Sequence, residues 1–537
     1  MTKVLLINPP GTLQDGFTNP PLGLLYIAGT LKANNINVSI VDGCIKGWDG
    51  INQALKTYKP DIAGITCLTP QRKKALQAAQ LAKHYDPSIL TVIGGAHPTI
   101  MYKQLLENYP FVDIAVLGEG EQNILKIAKG YSISKINGIA YRHSKDVIKT
   151  GNGENVKDLA SLPFPTWDVV EFDKYVKWGK GIKNGINLEI EPRISVVFSR
   201  GCKGHCDFCS SWWIWKKWRH RSPANMVDEL ELLNKKYGIR HINFADDTMT
   251  VSREATIELC KEIMKRKMKI AFLLSTRADC IDPEMLDFLK QAGCYKIAYG
   301  VESGSQTILN KLGKETNIET TKKALIQTKQ VGIETCALII VGNQGETEET
   351  VNETIDFLNE TNPTEVGSVG GLWVLPGTKL YRHCKEQGAI DDSFWLGDEP
   401  YMLYTLEHSK EEIERFHKAV QERKKLPITK ALPQNNPPQR HVLPHLPGWQ
   451  RYLQHDKNEY SATTEWIDAQ KLHIELMQQI LPDCKDILDL GCGDGWSVNT
   501  LKNKGKNAVG LSCNLKEIEH AKKTYNLDIV YGDMHEL

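Results

Sequence analysis

Three closely spaced cysteines are the residues of this sequence best suited to chemistry. Cys202, Cys206 and Cys209 lie within one stretch of eight residues, on a loop that also contains Gly201 and Gly204. Thiolates at this spacing can converge on one inorganic centre. A structural zinc site would need a fourth ligand, whereas a [4Fe–4S] cluster on three cysteines leaves one iron open for a reaction. The spacing predicts a metal centre and leaves both kinds open.

The cysteines follow Ile194–Phe198, the first of six apolar runs with the length and composition of buried strands. Helical patterns separate these runs. Six strand–helix units predict a (β/α)6 partial barrel over residues 191–425, with its chemistry at the carboxyl-end loops. The other five runs are His241–Phe244, Ala271–Leu274, Lys296–Tyr299, Thr335–Val341 and Val366–Trp373, and the helical patterns include Ala224–Lys236, Arg253–Lys265, Ile318–Gln330 and Glu346–Glu360.

Residues 1–135 show the same alternation, which predicts a doubly wound, Rossmann-like α/β domain. Ligands of such sheets bind outside the carboxyl ends of the strands. The expected strands are Val4–Ile7, Val38–Val41, Ile62–Thr66, Leu90–Ile93 and Val112–Leu117, and the helices include Leu22–Ala33, Gln71–His84 and Glu121–Lys129.

The rest of the chain divides by composition. Residues 136–190 predict a connector with a few short strands, and the Pro-rich residues 426–468 predict a semi-rigid linker. A helical pattern at Lys410–Lys424 precedes this linker. Residues 469–537 show a third α/β pattern with strands at Ile487–Leu490, Ala508–Leu511 and Asp528–Tyr531. Three strands predict an incomplete Rossmann-like segment.

Composition excludes several classes of protein. The 537 residues carry 66 Lys and Arg against 65 Asp and Glu, which argues against a nucleic-acid partner or an anionic membrane surface. No apolar run reaches the roughly 18 residues of a membrane span, and the first residues lack the pattern of a signal peptide. Thirteen cysteines are too sparse, and odd in number, for a disulfide scaffold. We therefore expect a cytoplasmic protein.

The cysteine spacing on the first loop of a six-unit partial barrel closely resembles the radical S-adenosylmethionine (radical SAM) superfamily. This resemblance implies a [4Fe–4S] cluster on the three cysteines and an open iron that chelates S-adenosylmethionine (SAM). One electron would then cleave SAM to a 5′-deoxyadenosyl radical. It also implies a flavodoxin-type or other reductase as electron donor, and a small-molecule or peptide substrate. The matching strings, at strand ends over about residues 193–390, are Ser199-Arg-Gly-Cys202, Phe244–Thr250, Ser275–Asp279, Gly300–Gly304 and Pro376-Gly-Thr378.

The resemblance also implies contacts with SAM. Asp246 and Asp247 match the position that holds the methionine end, Glu302 and Ser303 the ribose position, and the Val341–Gly342 turn the adenine position. Alternatively, the paired acids only cap the next helix, and the Gly300–Gly304 string forms an ordinary turn. The string Gly-Asn-Gln-Gly-Glu-Thr, which begins at Gly342, departs from the family's usual Gly-Leu-Pro-Gly-Glu-Thr.

The N-terminal region resembles the cobalamin-binding domain that precedes one large radical SAM class, which includes relatives of the anaerobic magnesium-protoporphyrin cyclase. The Asp-x-His-x-x-Gly element of many cobalamin proteins is absent, and Phe17 occupies the place of its axial histidine. A plain flavodoxin-like domain is the alternative. The residues that the resemblance assigns to cobalamin are Thr66, Leu68, Thr69, Gly94, Gly95, Gly118 and Glu119, and the matching strings also include Asn8-Pro-Pro10, Pro20–Gly29 and Val41-Asp-Gly43.

Four tryptophans follow the cysteines, interleaved with basic residues: Trp212, Trp213, Trp215 and Trp218. Such a stretch can stack on bases or on an extended ring system. It can equally pack the cysteine loop between the two domains, which is the favoured interpretation.

The last segment resembles the first motif of class I SAM-dependent methyltransferases. Asp489, Gly491 and Gly493 carry the motif, and Asp533 matches a position near the adenine. Ser512 replaces the acid that usually binds the ribose, and the second half of the fold is missing. We expect the fold here without catalysis.

The leading hypothesis is a cobalamin-dependent radical SAM methyltransferase that methylates an unactivated carbon. A radical cyclase or rearrangement enzyme of the tetrapyrrole-cyclase type is the first alternative, and a non-catalytic corrinoid or redox sensor is the second. Methylthiolation of transfer RNA fits poorly, because that group carries its own N-terminal cysteine cluster, whereas Cys44 and Cys67 stand far apart here.

Overall fold

The computed structural model describes residues 2–11, 19–175 and 180–427, together with three short strands nearer the C-terminus. The chain divides into two compact units, Met1–Pro444 and His445–Leu537. No helix in the described part is both long and apolar enough to cross a membrane. Phe17, Gly491, Gly493, Asp533 and most of the expected linker lie outside the described residues.

The first unit begins with a seven-stranded sheet in the order β2-β1-β3-β4-β5-β6-β7. The first five strands are parallel, and the last two extend the sheet antiparallel, beyond residue 135. Its strands are β1 (Lys3–Asn8), β2 (Asn37–Asp42), β3 (Ile62–Thr66), β4 (Leu90–Gly94), β5 (Ile114–Val116), β6 (Ile139–His143) and β7 (Asp146–Lys149). Its helices are α1 (Leu22–Ala33), α2 (Gly43–Tyr58), α3 (Arg72–Tyr85), α4 (Ala96–Asn108) and α5 (Glu121–Ala128).

This sheet buries both of its faces. Leu5 and Ile7 of β1 pack into one apolar cluster, and Val4 and Leu6 pack into another on the opposite face. Burial on both sides explains the continuous apolar runs of the strands. The 2-1-3-4-5 order places the switch between β1 and β3, where doubly wound sheets bind ligands. The predicted Rossmann-like fold is confirmed.

The connector contains the hairpin β8 (Ile182–Lys183) and β9 (Ile186–Asn187). Thr166 donates from its backbone N–H and its hydroxyl to Leu25 O, and Trp167 is buried with its Nε1 2.9 Å from Glu229 Oε1. These contacts fix the connector between the N-terminal helix α1 and the residues of the second domain.

The second domain is a six-stranded parallel sheet in the order β10-β13-β14-β15-β16-β17, the predicted partial barrel. Its strands, including two short antiparallel pairs, are β10 (Arg193–Val196), β11 (Ser199–Arg200), β12 (Arg219–His220), β13 (His241–Phe244), β14 (Ala271–Thr276), β15 (Cys294–Glu302), β16 (Glu334–Val341), β17 (Glu365–Gly371), β18 (Trp373–Val374) and β19 (Met402–Leu403). Its helices are α6 (Ser211–Trp215), α7 (Pro223–Tyr237), α8 (Arg253–Lys265), α9 (Pro283–Ala292), α10 (Gln306–Lys311), α11 (Ile318–Gln330), α12 (Glu348–Thr361), α13 (Lys379–Glu386) and α14 (Lys410–Glu422).

Local capping explains where the longer helices begin. A short polar side chain at the N-cap accepts a backbone N–H of the first turn, which satisfies a donor that has no partner within the helix. Ser222 and Asp282 each precede a proline at the first helical position, and Gly238 and Gly293 end the same helices with positive φ. The N-caps of the other longer barrel helices are Ser252, Asn317, Thr347, Thr378 and Ser409.

The first barrel strand is shorter than the sequence predicts. β10 ends at Val196, and the chain turns before β11 because the buried Asp246 carboxylate accepts the backbone N–H groups of Phe198 and Ser199. The second unit contains the parallel strands β20 (Asp486–Leu490), β21 (Asn507–Ser512) and β22 (Val530–Tyr531), which lie at the predicted positions.

Candidate functional site

The cysteine loop follows β11 at the carboxyl end of the barrel. Cys206 is buried, and Cys202 and Cys209 are partly buried. Two glycines allow the loop to lie close to its neighbours. Gly201 has φ +98°, and a Cβ there would lie 2.8 Å from Lys217 O; a Cβ at Gly204 would lie 2.4 Å from an Arg277 nitrogen. Side chains at either position would push the loop away from these groups.

Hydrogen-bond donors surround the cysteine sulfurs. The N–H of Gly204 lies 3.3 Å from Cys202 Sγ, and the N–H of Ser211 lies 3.4 Å from Cys209 Sγ. Thr248 Oγ1 is 3.1 Å from Cys202 Sγ and 2.8 Å from Asp247 O, so its proton is shared between these acceptors. Donors aimed at sulfur stabilise thiolates. The structure therefore supplies the second layer of contacts that a metal centre requires.

Burial opposes this effect for two of the thiols. It raises the pKa of Cys209 to about 11 and raises the pKa of Cys206 as well. Bound metal would compensate for that penalty by holding the sulfurs as thiolates. Within the described part of the chain, no three His, Cys, Asp or Glu side chains converge closely enough to hold one metal ion. A [4Fe–4S] cluster would need only the three cysteines as ligands from the chain.

The two predicted aspartates have different surroundings. Burial raises the pKa of Asp246 to about 7. Its carboxylate also accepts the Ser199 hydroxyl at 2.5 Å, so both of its oxygens are hydrogen-bonded within the protein. Asp247 lines a large cavity and accepts the Ser211 hydroxyl at 2.8 Å. Asp247 is therefore the more accessible aspartate, while Asp246 holds the corner between β10 and β11.

Two buried cations, Lys314 and Arg277, lie near the cysteine loop. Glu302, with φ +63°, forms an ion pair with Lys314 at 2.7 Å. Arg277 Nη1 lies 4.0 Å from Cys206 Sγ. Ser303, by contrast, is fully buried, and its hydroxyl lies 3.2 Å from the Thr354 hydroxyl, so its side chain points into the protein.

The predicted adenine turn is built on a buried carboxylate. Gly342 has φ +72° and donates its N–H to Glu346 Oε2 at 2.6 Å. Asn343 donates to the same carboxylate from its backbone and its side chain. This bonding closes the turn although its sequence departs from the family pattern.

A cavity of about 430 Å³ lies between the N-terminal sheet and the start of the barrel. Five of the seven residues assigned to cobalamin line it: Thr66, Gly94, Gly95, Gly118 and Glu119. The barrel contributes Val197, Ser199, Arg200, Trp215, Ala245 and Asp247. The cavity thus borders both the switch point of the doubly wound sheet and the strand that leads to the cysteines.

Glycine is required on the sheet side of this cavity. Gly95 has φ +117°, and a Cβ there would lie 2.7 Å from Cys67 O. Gly118 has φ +84° and donates its N–H to the Thr99 hydroxyl at 2.9 Å. These positions let a flat ligand approach the backbone.

Leu68 and Thr69 do not line the cavity. Leu68 is 49% exposed, and the buried Thr69 hydroxyl lies 3.3 Å from His97 Nδ1. Their positions could not be read from the sequence, because they depend on how the chain turns from β3 into α3.

Sequence reasoning missed the ion pairs that join the two domains, although it assigned Glu119 to cobalamin. Arg200 forms ion pairs with Glu119 at 2.8 Å and Glu121 at 2.6 Å, and Arg219 lies 3.0 Å from Glu119. Arg200 and the two glutamates are buried. Arg200 and Glu119 both lie in strings that resemble known families. Neither string indicates by itself that the two residues, roughly 80 positions apart, are in contact.

The tryptophan stretch has more than one role. Trp215 lines the cavity with Arg200 over its ring, and Trp218 donates its Nε1–H to Thr248 O at 3.0 Å. These contacts agree with the packing interpretation. Trp213 is 42% exposed and lies against Trp212 with the two rings tilted by 32°, and Trp212 contacts His205 of the cysteine loop.

Comparison with known families identifies both domains. A model of the radical SAM superfamily matches residues 196–358, and a model of the B12 binding domain matches residues 12–128. The chain belongs to the radical SAM superfamily and carries an N-terminal B12-binding domain. These domains imply a [4Fe–4S] cluster, SAM and cobalamin as cofactors, and the thiol donor set and the glycine-lined cavity fit them.

The chain also aligns with known proteins over about two thirds or more of its length. Over 378 residues the chain is 35% identical to the anaerobic magnesium-protoporphyrin IX monomethyl ester cyclase of Rubrivivax gelatinosus, covering 67% of this chain and 66% of the cyclase. It is 29% identical to an uncharacterized methyltransferase of Pyrococcus horikoshii, covering 71% of this chain and 83% of that protein. The radical SAM methyltransferase TsrM of Kitasatospora setae has the same fold, with a TM-score of 0.62 at 20% identity over 72% of this chain and 77% of TsrM.

Proposed function

We propose that this chain is a cobalamin-dependent radical SAM enzyme that methylates an unactivated carbon of a small molecule or peptide. The observation that carries the proposal is the shared cavity. Its wall includes the glycine edge of the B12-binding domain as well as Ser199, Arg200 and Asp247 beside the cysteine loop. A cobalamin in this cavity would therefore lie next to a cluster on that loop.

Each group of residues has a defined task in this proposal. Cys202, Cys206 and Cys209 hold the cluster, while Gly204, Ser211 and Thr248 direct hydrogen bonds at two of the sulfurs. When bound, the cluster with SAM supplies hydrogen-atom abstraction, and cobalamin supplies the methyl group.

Charged residues bind and orient SAM beside the cluster. Asp247 and Glu302 present carboxylates near the cysteine loop, and the Gly342 turn presents backbone to the adenine. Asp246 and Ser303 act indirectly, because their side chains bond within the protein. Leu24, Ile27 and Trp215 of the cavity wall exclude water.

An electron donor and a reducing compartment follow from the same proposal. SAM cleavage needs one electron from outside the chain, which a reductase or flavodoxin-type protein would supply. All ten cysteines of the described residues are free, which supports work in the reducing cytoplasm.

The test is anaerobic reconstitution of the full chain with iron, sulfide and cobalamin. With SAM deuterated in its methyl group and a strong reductant, we expect 5′-deoxyadenosine, S-adenosylhomocysteine and transfer of the deuterated methyl group to cobalamin. The cysteine variants Cys202→Ala, Cys206→Ala and Cys209→Ala should each lose cluster iron and 5′-deoxyadenosine. Cys260→Ala, on α8 within the barrel core, should keep both.

A radical cyclase is the second candidate, favoured by the 35% identity to the Rubrivivax cyclase. A cyclase would form 5′-deoxyadenosine without S-adenosylhomocysteine or methyl transfer. Absence of 5′-deoxyadenosine with an intact cluster would rule out both enzymes and favour the redox or corrinoid sensor.

A further inference from the structure

One buried arginine joins the cavity side of the B12-binding domain to a segment that follows the barrel. Arg72 begins α3 and is fully buried. It follows residues 66–69, a loop that leaves β3 and begins in the cavity wall. Its guanidinium donates from Nη1 to Thr69 O at 3.1 Å, from Nε to Trp395 O at 2.8 Å and from Nη2 to Gly397 O at 2.7 Å. One side chain therefore holds this loop against a segment 323 residues further along the chain.

Trp395 strengthens the same contact. It is buried, and the Arg72 guanidinium lies 5.2 Å from its ring centre. The rings of Trp395 and His97 pack edge to face at 6.1 Å, and His97 Nδ1 lies 3.3 Å from the Thr69 hydroxyl. His97 also donates its backbone N–H to Cys67 O at 3.3 Å. The loop is thus held by side chains from α3, from α4 and from the segment after the barrel.

The position of the loop determines part of the cavity wall. Thr66, at its start, lines the cavity, and so does Gly95 at the end of the next strand. A Cβ at Gly95 would lie 2.7 Å from Cys67 O, so the loop and Gly95 are in direct contact. A shift of the loop would therefore move two residues that line the cavity.

The segment gripped by this arginine also contacts the barrel. We define the bridging segment as residues 391–408. On the side of the B12-binding domain, Lys73 Nζ donates to Leu396 O at 2.8 Å. At the other end, His408 Nε2 lies 3.0 Å from Asn343 O in the predicted adenine turn. The bridging segment therefore touches both the loop beside the cobalamin cavity and the turn expected to face SAM.

An arginine is a costly residue to bury at this contact. Burial lowers the pKa of Arg72, because a charge is less stable away from water. An apolar side chain could fill the space without that cost. Only the planar, forked guanidinium can bind three carbonyl oxygens in fixed directions. We therefore interpret the three hydrogen bonds as a device for position rather than for stability.

We propose that Arg72 is a positioning residue for cobalamin, which places residues 66–69 in the cavity wall by holding them against the bridging segment. This inference rests on the B12-binding domain and not on the reaction proposed above, so it applies equally to a methyltransferase and to a cyclase. Without Arg72 the loop would have more than one position, and cobalamin would have to order it on binding, which lowers affinity. The surroundings of cobalt would change as well, because the loop lies at the carboxyl end of the sheet, where such sheets bind ligands.

The test uses the full chain with aquacobalamin as the probe. For Arg72→Met we expect the dissociation constant, followed by absorbance, to rise about tenfold or more. After reduction to cob(II)alamin, the electron paramagnetic resonance spectrum reports the groups around cobalt, and it should differ from that of the unmodified protein. A residue that only stabilised the fold would leave this spectrum unchanged.

Arg142 on β6 provides a matched control in the same domain. Its guanidinium also donates to three backbone carbonyls, those of Leu106, Tyr109 and Val112, and none of these four residues lines the cavity. Arg142→Met should lower the free energy of unfolding by urea and leave both the dissociation constant and the spectrum of cobalamin unchanged. The proposal would be overturned if the two variants changed cobalamin binding equally, or if Arg72→Met did not change it.

Two more variants test the route through the bridging segment. Arg72→Lys keeps the charge and is the milder change if Arg72→Met folds poorly; it should show the same two effects, because one ammonium cannot replace the forked guanidinium. Trp395→Ala should also raise the dissociation constant for aquacobalamin. Combined with Arg72→Met, it should add little, because both changes break one contact. Fully additive effects would mean that the two residues act separately, and would overturn the role of the bridging segment.

Discussion

Arg200 of the barrel lies 2.8 Å from Glu119 of the B12-binding domain, with both side chains almost fully buried. The same guanidinium reaches Glu121 at 2.6 Å and stacks over the rings of Tyr26 and Trp215. Arg200 stands two residues before the first cysteine and lines the shared cavity. One side chain therefore ties the cysteine loop to the domain that would hold cobalamin.

Replacing Arg200 with methionine should loosen this connection. Glu121 would lose its ion-pair partner, while Glu119 would keep Arg219 and the N–H of Val156, and breaking a buried ion pair typically costs about 3–5 kcal/mol. We expect a drop of that size in the free energy of unfolding by urea, together with weaker cobalamin binding. Lys32→Ala removes an exposed pair with Asp168 and should cost about 0–1 kcal/mol. Equal effects of the two variants would contradict this role for Arg200.

Alanine at Gly95 should displace the backbone that lines the cavity. The added methyl would lie 2.7 Å from Cys67 O, on a backbone with φ +117°, a region that only glycine adopts without strain. We expect cobalamin binding, followed by absorbance, to fall by tenfold or more. Gly130→Ala is the matched control, because Gly130 also has positive φ but open space around its Cβ position. If Gly130→Ala weakened cobalamin binding as much, general loss of stability would explain both results.

Much of the fold could be predicted from local sequence. The bounds of α1, α8 and α11 match the predicted helices, because the apolar spacing lies within each segment and the side chains of Ser252 and Asn317 cap α8 and α11. The first barrel strand was predicted too long. Its end at Val196 depends on Asp246, which lies far along the chain and takes the N–H groups that would otherwise continue the ladder.

The site was predictable to a smaller extent. The cysteine spacing is a local pattern, so the sequence could indicate the metal centre. The direction of a side chain is not local: Ser303 faces Thr354 and Thr69 faces His97, each set by a partner on another element. Arg200 went unnoticed for the same reason.

Removing the Thr248 hydroxyl should change the cluster without removing a ligand. Thr248 Oγ1 lies 3.1 Å from Cys202 Sγ, and hydrogen bonds to cluster sulfurs stabilise the more negative, reduced state. Thr248→Val should therefore lower the reduction potential, measured by redox titration with electron paramagnetic resonance, at full iron content. Thr250→Val removes a buried hydroxyl that bonds Thr276, and should leave the potential unchanged. A potential unaltered in Thr248→Val would show that this contact has no effect on the cluster.

The buried carboxyl of Glu346 should make stability depend on pH. Burial raises its pKa from 4.5 to about 7, so the folded state keeps a proton that the unfolded state has lost between these values. The unfolded state binds fewer protons, and the free energy of unfolding therefore falls as pH rises through this window, by up to about 3 kcal/mol, and is level above it. The free energy of unfolding by urea, measured at about pH 5 and about pH 8, should differ much less in Glu346→Gln than in the unmodified protein. The control Glu258→Gln alters an exposed carboxylate and should keep the full difference. A fall of equal size in all three proteins would mean that Glu346 is ionised in the folded state, held by the N–H groups of Gly342 and Asn343.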